Sequence, residues 1–217
     1  PGSSLYGAMF KRVLTGQIVP GYEIVQRYSE RRDEEIGFIL SSPVNATEGE
    51  LSGIEIGLTY VPENLPEAID GIGFQASYTS LDSWQQVIDF DANTGEVTDI
   101  IDSKMPGVSD SSYSVVAFYE NDYMDTRLSY TWREKFYTGN EALLFANPIQ
   151  FWSRPEQSLD FQFSYDVTDE LVVTFDATNI LDDKYQNYYG EGNSNSFNFG
   201  TAIYSRTFAL GMRYSFE

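Results

Sequence analysis

The most ligand-like run in the sequence is Asp89-Phe90-Asp91-Ala92-Asn93-Thr94-Gly95-Glu96. It places oxygen-bearing side chains at alternate positions, as sites for hard cations do. It leaves the calcium-loop pattern at two points: Thr94 stands where glycine is wanted, and no Glu falls at the twelfth position. Asn93-Thr94-Gly95 is good turn chemistry, so the run reads as a hairpin turn within a long acidic loop. Asp89, Asp91 and Asn93 are weak metal candidates, and calcium is not expected as a cofactor. A second group, Arg27, Arg31 and Arg32, could receive an anion, but Glu30, Asp33, Glu34 and Glu35 lie among them, and mixed-sign clusters neutralise themselves. The third group is aromatic. Trp84, Trp152, Tyr188 and Tyr189, with Phe145, Phe151 and Tyr185, fall in long connections or at strand tops. Their ring faces could stack on sugars or on flat aromatic ligands, and Trp84, Trp152, Tyr188 and Tyr189 are the ligand-binding candidates. The competing reading is that they pack the loops together. The run 190–196 is a flexible tip by composition and no phosphate loop, since no Lys follows it.

Composition removes several classes of chemistry. The 217 residues hold 33 Asp and Glu against 13 Lys and Arg, a formal charge of −20. Nucleic acid is not an expected partner, because phosphate binding rests on a basic footprint. The absence of His and Cys excludes disulfides, cysteine nucleophiles, histidine bases and Cys/His zinc sites. No constellation of acid, base and nucleophile stands out, so an enzyme is not expected. With 16 Tyr and 15 Phe the chain is too aromatic for a disordered one. It opens Pro1-Gly2-Ser3-Ser4 without a signal pattern, which reads as a mature or internal segment.

The elements that must hold these residues have a period of two. Phe208, Leu210, Met212, Tyr214 and Phe216 share one parity, with Thr207, Ala209, Gly211, Arg213 and Ser215 on the other. Leu159, Phe161, Phe163, Tyr165 and Val167 alternate with Ser158, Asp160, Gln162, Ser164 and Asp166. The same alternation marks 171–178, 127–133, 113–119, 72–78 and 54–60, and a less regular strand covers about 3–13. Residues 36–61 read as one long strand, broken near Pro43-Val44-Asn45. Each strand thus has an apolar, aromatic side and a small, polar or charged one. Long connections (14–35, 82–110, 137–155, 181–202) alternate with short ones (61–71, 121–122, 168–170). Bacterial outer-membrane barrels have this asymmetry, with short periplasmic turns and long extracellular loops. The expected fold class is all-β: an antiparallel transmembrane β-barrel of about eight strands, one domain over 1–217. A soluble sandwich, with the aromatic parity as its buried core, is the competing architecture.

Several segments carry a resemblance to a known family. They are Pro43-Val44-Asn45-Ala46 with Leu51-Ser52-Gly53-Ile54-Glu55-Ile56-Gly57; Leu128-Ser129-Tyr130-Thr131-Trp132-Arg133-Glu134-Lys135-Phe136; 159–167, then Thr168-Asp169-Glu170, then Thr178-Asn179-Ile180-Leu181-Asp182-Asp183; and the closing 206–216. In order and spacing they resemble the C-terminal barrel portion of TonB-dependent outer-membrane receptors. The resemblance implies that these strands are the last of a 22-stranded barrel, plugged by an N-terminal domain lying outside this chain. It implies active uptake of a scarce solute, such as a ferric siderophore or a saccharide, across the outer membrane of a Gram-negative bacterium. The implied partners are outer-membrane lipid and lipopolysaccharide, the plug and remaining strands, the TonB complex and the barrel-assembly machinery. Tyr214 and Phe216 are then the C-terminal assembly signal, although Glu217 follows where the family ends on an aromatic residue. Two other classes stay open: a passive or structural barrel closed by these strands alone, and a soluble glycan- or protein-binding β-domain.

Overall fold

The computed structural model describes residues 2–16, 18–45, 48–90, 97–141, 149–190 and 197–216. In chain order the strands are β1 (Ser4–Thr15), β2 (Ile18–Ser29), β3 (Glu34–Asn45), β4 (Glu48–Tyr60), β5 (Ile72–Phe90), β6 (Val97–Ser103), β7 (Ser111–Glu120) and β8 (Met124–Arg133). There follow β9 (Phe136–Glu141), β10 (Ile149–Ser153), β11 (Glu156–Asp166), β12 (Leu171–Thr178), β13 (Lys184–Tyr189), β14 (Asn198–Ile203) and β15 (Thr207–Tyr214). All the pairings are antiparallel. One path, β1-β4-β5-β7-β8-β11-β12-β15, makes the wall, with β6 beside the upper part of β5. Above it stand a β2-β3 ribbon and a four-stranded rim sheet, β14-β13-β10-β9. The connections at the other end are short.

The wall coincides with the segments whose parity is cleanest in the sequence. Residues 36–61 hold β3, ending at Asn45, and β4, starting at Glu48, close to the break expected near Pro43-Val44-Asn45. The structure corrects the long connections: 14–35 is mostly strand. The register Ser4↔Thr59 to Thr15↔Glu48 continues as Ile18↔Asn45 to Ser29↔Glu34, so the four strands form one long hairpin. In the ribbon Val19, Tyr22, Ile24 and Val25 put apolar residues on both parities of the sequence, which erases the period. Pro20 and Pro43 face one another within it. Neither proline has an N–H to give, which costs the ladder nothing at a position where an N–H would point away from the partner strand. The 137–155 and 181–202 connections likewise contain β9, β10, β13 and β14. Register shifts at Phe151/Trp152 and Asn187/Tyr188 break their alternation.

Register places every apolar parity of the wall on one face. Leu5, Leu58, Ala76, Val115, Tyr130 and Leu159 form one row across it. Phe163, Phe175 and Leu210 continue that face to the last strand. This face is open: Met9 is 81% exposed and Leu210 78%. The opposite face carries Arg127, Arg133, Arg213, Glu55, Asp160, Asp166 and Asp176, as the alternation requires. Small residues there admit large neighbours, with the Tyr6 ring over Gly57 and the Phe118 ring over Gly73. The buried apolar residues among those described are few: Met105, Phe136, Tyr137, Trp152, Ala177 and Tyr188. Most of them lie at the rim, so among the described residues no second layer packs on the wall to make a sandwich core.

The strands are also staggered. Ser4, Thr59, Gln75, Val116, Ser129 and Asp160 lie on one row. Ser4 begins β1, Thr59 is one residue from the short-turn end of β4, and Gln75 is three from that end of β5. Val116 is four from it in β7, Ser129 five in β8 and Asp160 six in β11. The ends therefore slip by about one residue per strand. At about 3.3 Å per residue and 4.8 Å between strands, that corresponds to a tilt of roughly 35–40°.

One short connection depends on a glycine. Gly71 has φ 111°, and a Cβ there would collide with the Glu120 carbonyl oxygen. The Glu120 N–H donates to the Gly71 carbonyl at 3.2 Å. Gly71→Ala should destabilise the protein by at least the roughly 1–2 kcal/mol of a left-handed backbone, since the carbonyl must also move. Urea unfolding should show a lower midpoint, and an unchanged midpoint would contradict this reading of the turn.

Candidate functional site

The aromatic candidates separate into two clusters on the rim sheet and one isolated ring. Trp152 pairs across strands with Tyr188 on one side and Tyr137 on the other. Tyr188 is 2% exposed and Trp152 8%, with the Tyr137 and Trp152 ring centroids 5.7 Å apart. Lys135 Nζ lies 5.3 Å from the Trp152 ring. Tyr189 belongs to the other face of the sheet, with Phe151 at 6.3 Å and Phe199 at 5.0 Å. Trp84 sits half-buried on β5, opposite Glu50. Trp152 and Tyr188 thus have the geometry of packing, and their burial leaves little ring face for a solute.

Of the weak metal candidates, Asp91 and Asn93 lie outside the described residues, and Asp89 is paired through its backbone with Asp99 in the β5-β6 hairpin. Among the described residues no group of three or more Asp and Glu is placed to hold a metal. The acidic loop is bridged from within: Lys104 Nζ is 2.9 Å from Asp110 and 3.7 Å from Asp82. Of the arginine group, Arg32 lies 3.8 Å from Glu34, both exposed. Tyr214 and Phe216 make an edge-to-face pair, 4.8 Å apart, on the exposed apolar face at the short-turn end.

Two assemblies escape sequence reading. The first is a polar clasp where β12 gives way to β13. Asn179, at φ 53°, receives Asp183 N–H on Oδ1 at 2.9 Å, and its Nδ2 donates to the carbonyls of Asp183 and Ser205, each at 3.2 Å. Its own N–H donates to Asp160 Oδ1 at 2.8 Å. Asp183 Oδ2 accepts Gln157 N–H at 2.8 Å, and Arg206 Nε donates to the Ile180 carbonyl at 2.8 Å. The clasp ties β11 and the segments flanking β13 and β15 together at the junction of wall and rim. The hint in the sequence is Asn179 and Asp182, residue types that tolerate positive φ. Asn179→Ala removes three hydrogen bonds at once, and about 1 kcal/mol for each gives a loss of roughly 2–4 kcal/mol locally. Hydrogen exchange at the Gln157 and Asp183 amides should accelerate at least tenfold, and wild-type protection would contradict the clasp.

The second assembly is a cleft of about 430 Å3 on the polar face, at the top of β7 and β8 and the start of β11. Ser77, Ser114, Thr131 and Ser158 are register partners in one row across four strands. Ser77 and Ser114 hydroxyls are 2.8 Å apart, and Ser158 donates to Asp160 Oδ1 at 2.7 Å. One row higher, Arg133 Nε lies 3.0 Å from Glu156 Oε2, and the guanidinium covers the Phe136 ring at 3.8 Å. Ser111 Oγ donates to Glu134 Oε2 at 2.9 Å. Alternation predicts that these side chains share a face. Their gathering depends on registers between strands distant in sequence. The cleft offers many hydroxyl donors and acceptors and one ion pair, which suits binding.

The chain matches no family model, no curated protein and no solved structure.

Proposed function

We propose that this chain forms part of the wall and the extracellular rim of an outer-membrane receptor that takes up a scarce solute with energy from the TonB complex. The observation that carries the membrane part of the reading is the face of the wall: every apolar parity lies on one side and is open. Such a face exceeds what a water-soluble surface normally exposes and suits lipid. The stagger supports it, because a tilt of roughly 35–45° is that of transmembrane barrels. Both edges point to additional strands. β1 and β15 each have a partner on one side only among the described residues. In hydrocarbon an unpaired strand edge is not viable, so further strands complete the barrel.

The uptake part of the reading rests on the family resemblance and on the long-loop rim with its polar cleft. The experiment is the intact mass of the native polypeptide in a detergent extract of outer membranes. A mass several-fold above 24.6 kDa supports a larger receptor. A mass near 24.6 kDa would overturn it in favour of strands that close alone or between copies.

A further inference from the structure

We infer that the cleft at the top of the polar face binds a neutral, polyhydroxylated solute, a saccharide or similar polyol, in preference to an anionic ferric chelate. The inference rests on the receptor reading and names its solute class. The row Ser77, Ser114, Thr131 and Ser158 presents four hydroxyls: Ser158 donates to Asp160 and Ser77 and Ser114 share one bond, so all four keep lone pairs to accept, while Thr131 and one of the serine pair keep a proton to donate. That versatility matches a sugar hydroxyl, which also does both. Directly above, Arg133 and Glu156 supply a fork of donors beside a carboxylate acceptor, 3.0 Å apart. A vicinal diol can accept from the first and donate to the second without separating them. A multiply charged anion would have to draw Arg133 away from Glu156 and leave the carboxylate facing negative charge, at a cost. The wider field acts in the same direction, since a chain of net charge −20 repels anions approaching its rim. The volume of about 430 Å3 lies within the range of small-molecule sites, roughly 300–1,000 Å3. The position is also apt. The cleft lies where wall meets rim sheet, so a solute entering from the long-loop side reaches it before the rest of the polar face.

The test uses the protein purified from its native membrane in detergent, titrated by calorimetry. The probes are maltotriose, cellotriose, xylotriose and mannotriose, with a ferric tris-catecholate trianion as the anionic comparison. At least one neutral oligosaccharide should bind, and the trianion should not. Thr131→Val, which keeps shape and removes a hydroxyl, should weaken that binding severalfold, and Glu156→Gln at least tenfold, because each leaves a sugar hydroxyl without its partner. Thr131→Val keeps the test valid if the charge change disturbs folding. Failure of all four oligosaccharides to bind, wild-type affinity in both variants, or binding of the trianion alone would overturn the assignment. A protein found in the outer membrane that fails these titrations loses only its solute class. A protein found outside the membrane loses the receptor reading as well.

Discussion

Leu210→Arg should lower the stability of the membrane-inserted protein by about 2–4 kcal/mol, the cost of a lipid-facing arginine near the bilayer midplane. Leu210 is opposite Phe175 in the register and stands on the open apolar face. Phe163→Arg should behave alike, since Phe163 is the register partner of Phe175 on its other side. Ser164→Arg, one residue along and therefore on the polar face, should cost little, because its surroundings there are polar. The contrast separates three environments. A face bathed in water would make all three substitutions nearly neutral, as surface changes usually are. A lipid face penalises Leu210 and Phe163 and spares Ser164. A face buried against protein would also penalise Leu210 and Phe163, but would do so equally in detergent micelles and in vesicles of different thickness. Unfolding in vesicles of two acyl-chain lengths therefore completes the measurement. Equal costs at Phe163 and Ser164 would contradict the assignment of faces.

Trp152→Ala should be the most damaging single change at the rim. Its ring lies between Tyr137 and Tyr188 in the one cluster of mutually packed buried aromatics among the described residues. Truncating a buried Trp costs about 3–5 kcal/mol. The wall shares few of these contacts, so the loss should be local: the rim sheet opens and the wall remains folded. Brief trypsin treatment should then cut at Lys184, which lies in β13, while a protected wall fragment persists. Uniform resistance would show that the rim does not depend on this cluster. Simultaneous loss of wall and rim would show that the two are one cooperative unit.

The wall was legible because its two faces meet different surroundings, and that difference writes itself into the sequence as a period of two. Phe208, Leu210 and Met212 against Ala209, Gly211 and Arg213 is the plainest case. The ribbon and the rim were not legible for the opposite reason. Ile18–Ser29 carries apolar residues on both parities, Val19 and Val25 on one and Tyr22 and Ile24 on the other, so no alternation marks it as a strand. At the rim, Phe151-Trp152 and Tyr188-Tyr189 put aromatics on both faces of the sheet, as successive strand residues do, and register shifts beside them interrupt the alternation, so such a run reads as a loop. By sequence the two belong to one group of ligand candidates, yet Tyr188 packs on one side of the sheet and Tyr189 on the other. The cleft was half legible. Ser112, Ser114, Thr131, Arg133 and Ser158 fall on the polar parity, but that Ser77 stands beside Ser114 and Arg133 beside Glu156 follows from registers that no local pattern encodes. The Asn179 clasp lies inside a segment that carries the resemblance, but its three partners, Asp160, Asp183 and Ser205, are brought around it only by the fold.

The most direct test of the membrane-facing wall is the accessibility of spin labels placed singly from 207 to 213 along β15, in the protein reconstituted into lipid bilayers. Oxygen partitions into hydrocarbon and a neutral nickel chelate stays in water. Labels at 208, 210 and 212 should relax with oxygen, and labels at 207, 209, 211 and 213 should be shielded from it or relax with the chelate. A β15 whose oxygen accessibility shows no period of two, or whose 208, 210 and 212 positions favour the chelate, would contradict the account.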